Sequence, residues 1–185
     1  KKDGEMFILA KALVETVLGE EAEIVSTCVG RELENKPYKP LFDFTAEAAG
    51  GKKAHFVTMD KYVTLSDGTG IVHIAPAFGE DDARIGRAYD LPFIQLVDDR
   101  GLFMGGTPWD GTFVKEADPA IIERLRQDGL LFAELDYEHS YPFCWRCNTP
   151  LLYYARSTWF IEMTKVRDRL LDYNNRINWL PEHIK

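Results

Sequence analysis

The sequence predicts an α/β (α+β) fold in which a β-barrel core is decorated by a few helices. Two observations lead to this fold class: short β-prone segments outnumber helical ones, and glycine-rich turns separate many of them. The pattern does not fit a doubly wound sheet. With 185 residues, of which 45% are hydrophobic, the chain is long enough to bury a core without disulfides.

Periodicity places the predicted elements along the chain. Strands are predicted at residues 6–9, 23–29, 55–59, 62–65, 70–75, 91–97, 130–137 and 151–155. Helices are predicted at residues 10–18, 79–89 and 163–173. Asp118 followed by Pro119 predicts the start of one more helix, which Gly129 ends. Residues 98–111, with four glycines, are predicted to form a long loop or a glycine-rich hairpin.

Composition narrows the classes of function. Lys and Arg total 22 against 30 Asp and Glu, a net charge of −8, which disfavours an autonomous nucleic-acid binder. No apolar run approaches the roughly 18 residues of a membrane span, so no membrane partner is expected. Three cysteines do not form a disulfide framework, and a reducing, cytoplasmic location is expected. The chain starts without Met and ends without a structural stop, and we expect it to be part of a longer polypeptide.

The first candidate site lies where a predicted strand meets a helix. His73 ends the strand, Gly79 helps to shape a bend, and the first helical turn then contains three acids, Glu80, Asp81 and Asp82. A carboxylate there can hold an ammonium group, and a histidine can orient water. The alternative is structural: acids are favoured at helix N-termini, and a single strand histidine is commonly a core residue.

The second candidate site is a Cys-x-x-Cys pair, Cys144 and Cys147. Two thiolates at this spacing form half of a tetrahedral zinc site. Cys28 is distant in sequence and His139 is the nearby imidazole, so either further ligands lie outside this chain or the pair is unmetallated. The aromatic and basic residues between 153 and 169 either stack nucleic-acid bases or belong to the core.

Several motifs resemble one enzyme family. The segment from His73 to Asp82, HIAPAFGEDD, resembles the His-x-Ala-Pro-x-x-Gly-x-Asp-Asp signature in the editing insertion of isoleucyl-tRNA synthetases. HSYP at residue 139, followed by CWRC, TPLLYY and WF, resembles the end of that insertion, and NWLP at residue 178 resembles the return to the catalytic domain. Where valyl and leucyl relatives carry a His-Asp pair, this chain has Ala77, Phe78 and Gly79. The chain thus resembles the editing (CP1) domain of the isoleucyl branch of class I aminoacyl-tRNA synthetases.

The resemblance implies the editing-domain fold shared with valyl- and leucyl-tRNA synthetases and the hydrolysis of misacylated Val-tRNA(Ile). In that family pattern Asp82 and His73 are the catalytic residues: Asp82 binds the α-ammonium of the aminoacyl group, and His73 lines the pocket and excludes isoleucine. Tyr141 matches a substrate-binding position near the same pocket. Water attacks the ester, with no protein nucleophile.

The resemblance also divides the chain by role. Residues 1–138 correspond to an N-terminally incomplete editing core, and residues 139–185 to the Cys-x-x-Cys segment and the return connection. Because the family's threonine-rich segment, second Cys-x-x-Cys and ATP-binding signatures are absent, we expect the isolated chain to be inactive. No cofactor is expected within it, and zinc is expected only in the parent enzyme. The implied partners are the valine-carrying CCA end of tRNA(Ile) and the rest of the synthetase.

Two alternatives stay open from the sequence. The chain is either an inert structural half of the insertion, or a valyl-type editing domain that clears Thr-tRNA(Val).

Overall fold

The computed structural model describes residues 1–136 and 138–184, apart from the side chain of Glu182. The chain divides into two compact units, Lys1–Ala155 and Arg156–Lys185. In the first unit lie helices α1 (Val14–Leu18), α2 (Glu80–Ala88) and α3 (Val114–Gln127), and in the second lies α4 (Met163–Arg176). Short 3-10 helices occupy Lys11–Leu13, Gly30–Leu33 and Glu182–Ile184.

The predicted β-barrel core is wrong. Within residues 1–136 and 138–184 the structure contains no β-strand and no sheet, and antiparallel contacts are limited to isolated bridges such as Pro37 with Phe56 and Val97 with Phe103. All eight predicted strands are therefore corrected to irregular chain over their described residues; Tyr137, the end of one of them, lies outside the description.

The reason lies in what a period-2 pattern can specify. β-branched and aromatic residues favour an extended backbone, but a ladder also needs a partner in register over several residues. Here such pairing stops after one or two residues. Tyr38 donates its N–H to the carbonyl of His55 and Val57 donates to that of Lys36, while Pro37 between them has no N–H.

The buried core of the described chain is small and lies in the first unit. Its apolar members come from the helices and from the segments that join them: Leu13, Leu18, Phe56, Ala77, Ile85, Val97 and Ala117. Large apolar side chains of the predicted strands stay exposed, with Ile8 at 69% and Val25 at 54% of their surface. The buried core therefore combines single residues of α1, α2 and α3 with residues of the segments between them.

Three of the four predicted helices are observed close to their expected positions. Residues 10–18 form a 3-10 turn and then α1, which ends before Gly19 at φ +84°. Helix α2 matches its prediction within one residue at each end, and α4 extends to Arg176.

The start of α3 was predicted wrongly. The helix begins at Val114, after Phe113 as N-cap, and Pro119 lies inside it where Asp118 and Pro119 were expected to begin it. The observed start lies five residues before Pro119, beyond the four N-terminal positions whose N–H groups have no helical partner, so the proline removes one internal hydrogen bond of α3.

The glycine-rich segment is a compact hairpin-like loop. Bridges join Val97 with Phe103 and Leu102 with Phe113, and the Asp98 carboxylate accepts the N–H groups of Arg100 and Leu102 at 2.9 Å each. Those backbone donors, that of Leu102 first, hold the pKa of Asp98 below its usual value. An aromatic cluster forms beside this loop, where the rings of Phe42, Phe44 and Phe103 all contact Trp109.

None of the described helices has the length and apolar character needed to cross a membrane. The predicted boundary at residue 138 separates segments by role, and it stays a prediction.

Candidate functional site

The bend between residues 75 and 79 and the first turn of α2 form the candidate site. Phe78 donates its N–H to the carbonyl of Ala75 at 2.9 Å, which closes the bend, and Gly79 stands as the N-cap of α2. The Asp82 carboxylate turns back toward the bend and accepts the N–H of Ala75 through Oδ2 at 3.1 Å. The side chain of Asp82 is therefore attached to the segment that follows His73.

Two glycines allow the bend and the helix to approach closely. A Cβ at Gly79 would lie 2.9 Å from both Cγ and Oδ2 of Asp82. A Cβ at Gly86 would lie 2.9 Å from Cβ and 3.0 Å from Cγ of Pro76. Carbon atoms do not approach so closely, so the position of Asp82 depends on Gly79, and the close approach of α2 to Pro76 depends on Gly86.

A single arginine on α2 binds two other carboxylates at this site. Arg84 donates to both oxygens of Asp60, at 2.6 and 3.1 Å, and its Nη2 also donates to Asp81 at 2.8 Å. The Asp60 side chain is 17% exposed, whereas that of Arg84 is half exposed. A planar guanidinium suits this two-pronged contact with a carboxylate.

The pKa values reflect this arrangement. The Arg84 guanidinium lowers the pKa of Asp60 from 3.8 to about 2, and the two carboxylates together raise the pKa of Arg84. Burial raises the pKa of Tyr62, and the negative charges of Asp82, Asp81 and Asp60 raise it further.

Asp82 differs from its neighbours in its partners. Among the side chains that the structure describes, no Lys, Arg or His lies within ion-pair distance of Asp82, whereas Asp60 and Asp81 share Arg84. Asp82 is partly buried, and the hydrogen bond that its carboxylate makes within the described chain is to a neutral backbone N–H. An anion held this way can accept a further donor, and a cationic one most favourably.

His73 lies on the extended segment before the bend and is exposed. Its position two residues before Ala75 places it on the same segment that holds Asp82. Within the described chain, the hydrogen bonds and ion pairs do not join the His73 imidazole to Asp82. The structure brings the two predicted residues to one bend without pairing them directly.

Tyr141 has its own partners. Its hydroxyl donates to the carbonyl of Leu151 at 2.7 Å, and its ring contacts His139 and Phe143 edge-on at centroid distances of 5.9 and 5.8 Å. Lys115 places its ammonium 5.3 Å from the centre of the Tyr141 ring. In the described residues no hydrogen bond or ring contact links Tyr141 to His73 or Asp82, so its substrate-binding role stays a prediction.

Cys144 and Cys147 lie on a tight turn. Cys144 donates its N–H to the carbonyl of Thr149, and the N–H of Asn148 bonds back to the carbonyl of Cys144, both at 2.8 Å. The Sγ of Cys147 lies 3.0 Å from the Thr149 hydroxyl, and this hydrogen bond is the main reason that the pKa of Cys147 is lowered.

The fit of this turn to zinc is incomplete. A structural zinc ion needs four ligands, and no group of three or more His, Cys, Asp or Glu side chains that could hold a metal occurs among the described residues. The two thiols do not make a zinc site by themselves, and zinc binding in a parent enzyme stays a prediction.

Sequence reasoning missed Asp60, Tyr62 and Arg84. The pair Asp81 and Arg84 has the i,i+3 spacing at which helical side chains meet, so this ion pair had a local signal. Asp60 lies 24 residues before Arg84 and had none.

Comparison with known proteins finds relatives that match the chain over its whole length. No protein-family model matches it. The isoleucine–tRNA ligase of Clostridium novyi is 51% identical over 186 residues, which cover 100% of this chain and 18% of that protein. That of Thermus thermophilus is 45% identical over 98% of this chain and 17% of that protein. That of Bacillus thuringiensis is 42% identical over 100% of this chain and 18% of that protein. The resemblance found in the motifs is confirmed at the level of the ligase, and the chain spans less than a fifth of the length of these relatives.

Proposed function

We propose that this chain is the part of an isoleucine–tRNA ligase that hydrolyses misacylated Val-tRNA(Ile). The chain is homologous, over its whole length, to a segment of such ligases. In this function, the carboxylate of Asp82 binds the α-ammonium of the valyl group. The aminoacyl ester is then held at the bend between residues 75 and 79 for attack by water.

One observation carries this proposal: the carboxylates around the bend are not equivalent. Arg84 binds Asp60 and Asp81, whereas among the described residues the Asp82 carboxylate is held by the Ala75 N–H. The exposed acids of a helix N-terminus would serve the helix dipole equally well. The separate placement of Asp82 supports a binding role beyond helix capping.

The need for such a site follows from the limits of a binding pocket. One missing methylene changes the binding free energy by about 1–3 kcal/mol. This is a general value, and isoleucyl-tRNA synthetases are themselves its standard example. A synthetic site therefore admits valine at a low rate. A second site that accepts valine and rejects the larger isoleucine removes the error.

His73 is proposed to supply this size limit. It is exposed, and it lies two residues before Ala75, whose N–H binds the Asp82 carboxylate. Tyr141 is proposed as a further contact to the substrate. In the isolated chain it lies beside Lys115 and Phe143.

Hydrolysis itself needs little from the protein beyond orientation. Aminoacyl esters are reactive, and fixing the ammonium limits the positions that the ester carbonyl can take relative to an attacking water. The terminal adenosine hydroxyls lie next to that ester and assist the water. No side chain of this chain is assigned as a nucleophile.

The negative charge of the chain limits how much of the tRNA it can bind. With a net charge of −8, the chain is not suited to bind a phosphate backbone, so the proposed contact is limited to the CCA end. The rest of the ligase supplies the remaining tRNA contacts and the ATP-dependent activation of isoleucine. The proposed location of this ligase, and therefore of the chain, is the cytoplasm.

The test compares two acids of the same helical turn in the full-length ligase. Asp82→Ala is expected to abolish deacylation of Val-tRNA(Ile) while isoleucine activation and melting temperature stay unchanged. Glu80→Ala is the matched control, because two residues rotate the side chain by about 200° around a helix and direct it away from Asp82. Normal editing by Asp82→Ala, or a loss that accompanies unfolding, would leave only a capping role for Asp82.

The remaining alternatives are separated by substrate. A valyl-type editing domain hydrolyses Thr-tRNA(Val) in preference to Val-tRNA(Ile), and an inert structural segment leaves both unchanged when Asp82 is replaced. His73→Ala adds a specificity readout. The enlarged site is expected to begin cleaving correctly charged Ile-tRNA(Ile), which the ligase otherwise spares.

A further inference from the structure

We propose that Arg84 is a positioning residue for this hydrolysis: by binding Asp60 and Asp81 it leaves Asp82 as the free carboxylate on its side of α2, and thereby directs the substrate ammonium to Asp82. This inference rests on the proposed function. It concerns how one acid is selected among neighbours of the same chemistry. Arg84 itself is not expected to touch the substrate.

The geometry of the contacts supports a selecting role. Nη1 and Nη2 of Arg84 donate to the two oxygens of Asp60 at 2.6 and 3.1 Å, and Nη2 also donates to Asp81 at 2.8 Å. One cation therefore occupies both competing carboxylates. The contact also joins α2 to Asp60, which lies 24 residues earlier. The N–H of Tyr62, two residues after Asp60, donates to its carboxylate at 3.1 Å.

Asp82 lies outside this ion-pair group but next to it. Its carboxylate accepts the Ala75 N–H, and it directly follows Asp81 on α2, while Asp81 and Asp60 share Nη2 of Arg84. The three acids therefore belong to one cluster, in which an unpaired Asp81 or Asp60 would compete for the same ammonium. Glu80 is a different case, because it is rotated by about 200° from Asp82.

Competition between these acids would misplace the ester. Asp81 is rotated by about 100° from Asp82 around α2, so an ammonium bound there would hold the ester carbonyl several ångströms away from its working position. Displacements of about 1 Å already cost on the order of a hundredfold in rate. Loss of Arg84 is therefore expected to lower kcat more than it changes KM, since the substrate still finds a carboxylate.

The experiment uses charge-matched variants of the full-length ligase and deacylation of Val-tRNA(Ile). Arg84→Gln exposes two unpaired carboxylates, and kcat is expected to fall by roughly tenfold to a hundredfold. The triple variant Arg84→Gln, Asp60→Asn, Asp81→Asn removes the same cation together with both competitors, and kcat is expected to return to within about threefold of the unmodified enzyme. Arg84→Lys keeps the charge and is expected to fall between them.

The rescue separates selection from scaffolding. A merely structural role predicts that the triple variant, which has lost all three ion-pair partners, is at least as impaired as Arg84→Gln. That result, or an Arg84→Gln enzyme with unchanged kcat, overturns the inference. The proposed function is tested separately by Asp82→Ala. If that variant still hydrolyses Val-tRNA(Ile), the proposed function is wrong. If Asp82→Ala loses this hydrolysis but Arg84→Gln has no effect, only the present inference is wrong.

Discussion

At the bend before α2, and again at the Cys-x-x-Cys turn, a short sequence motif brings two or three side chains together. Only at the bend do these side chains have different partners. At the bend, Arg84 pairs with Asp81 and Asp60, and Asp82 keeps a neutral partner. At the turn, Cys144 and Cys147 are supported by backbone bonds and by Thr149, but the described chain adds no third ligand. The acids at the bend therefore differ from one another because Arg84 also binds a residue distant in sequence, Asp60, whereas the two cysteines have no such partner among the described residues.

The largest effect is expected from breaking the bend at Gly79. In Gly79→Ala the new Cβ would lie 2.9 Å from Cγ of Asp82, and the short side chain is expected to rotate away and lose its bond to the Ala75 N–H. Deacylation by the full-length ligase should fall on the order of a hundredfold. Gly105→Ala is the control, because its Cβ would come no closer than 3.9 Å to the nearest neighbour, Asp110. Equal rates in both variants would contradict the assigned position of Asp82.

A smaller effect is expected from separating the bend and the helix at Gly86. Replacing a helical glycine by alanine ordinarily stabilises a helix by about 1 kcal/mol. Here the Cβ would meet the rigid ring of Pro76 at 2.9 Å, so Gly86→Ala is expected to destabilise the chain by about 1–3 kcal/mol. Urea unfolding measures the difference, with Arg87→Ala as an exposed control in the same helix. A more stable Gly86→Ala chain would show that α2 does not pack on Pro76.

Acid should weaken the ion-pair group at the bend. Because the pKa of Asp60 is lowered from 3.8 to about 2 by Arg84, the carboxylate contributes stability above pH 3.8, and this contribution disappears as the pH falls toward 2. The melting temperature of the unmodified chain should therefore decrease more steeply between these pH values than that of Asp60→Asn. Parallel curves for the two proteins would mean that this contact does not contribute to stability.

The Cys-x-x-Cys turn should show the smallest effect of all in the isolated chain. With two thiols and no further ligand among its described neighbours, zinc is expected to bind weakly, and Cys147→Ser should shift the unfolding free energy by less than about 0.5 kcal/mol whether or not a chelator is present. Zinc content by elemental analysis and melting curves with EDTA provide the measurement. Tight binding of one zinc per chain would show that the turn is already a complete site.

The comparison also shows what the sequence can reveal. Helix α2 was predictable because its apolar spacing, its acidic first turn and Gly79 all point to the same boundaries. The Asp81 and Arg84 pair had a local signal, whereas the contact of Arg84 with Asp60 depends on the path of the chain between them. The predicted barrel failed for the same reason, since pairing between segments is a long-range property that alternation of side chains does not specify.

The aromatic cluster and helix α3 extend this lesson. Phe42 and Phe44 stack on each other, and both contact Trp109 from a distant part of the sequence, which no periodicity could indicate. For α3, Pro119 has a strong preference for a first helical position, but the helix includes one more turn before it. Local rules located the helix and misplaced its beginning.

The central claim, that the Asp82 carboxylate binds the substrate ammonium, is tested most directly by removing the ammonium. The full-length ligase and its Asp82→Asn variant would be compared on tRNA(Ile) carrying valine and on the same tRNA carrying 2-hydroxyisovalerate, in which a hydroxyl replaces the amino group. Hydrogen bonds to charged groups contribute about 1.5–3 kcal/mol, which corresponds to a preference of roughly 10- to 150-fold for the amino ester. After division by the uncatalysed hydrolysis rate of each ester, the unmodified enzyme should show this preference and Asp82→Asn should lose it. If Asp82→Asn keeps the full preference for valine, the ammonium is bound elsewhere and the assignment of Asp82 is wrong.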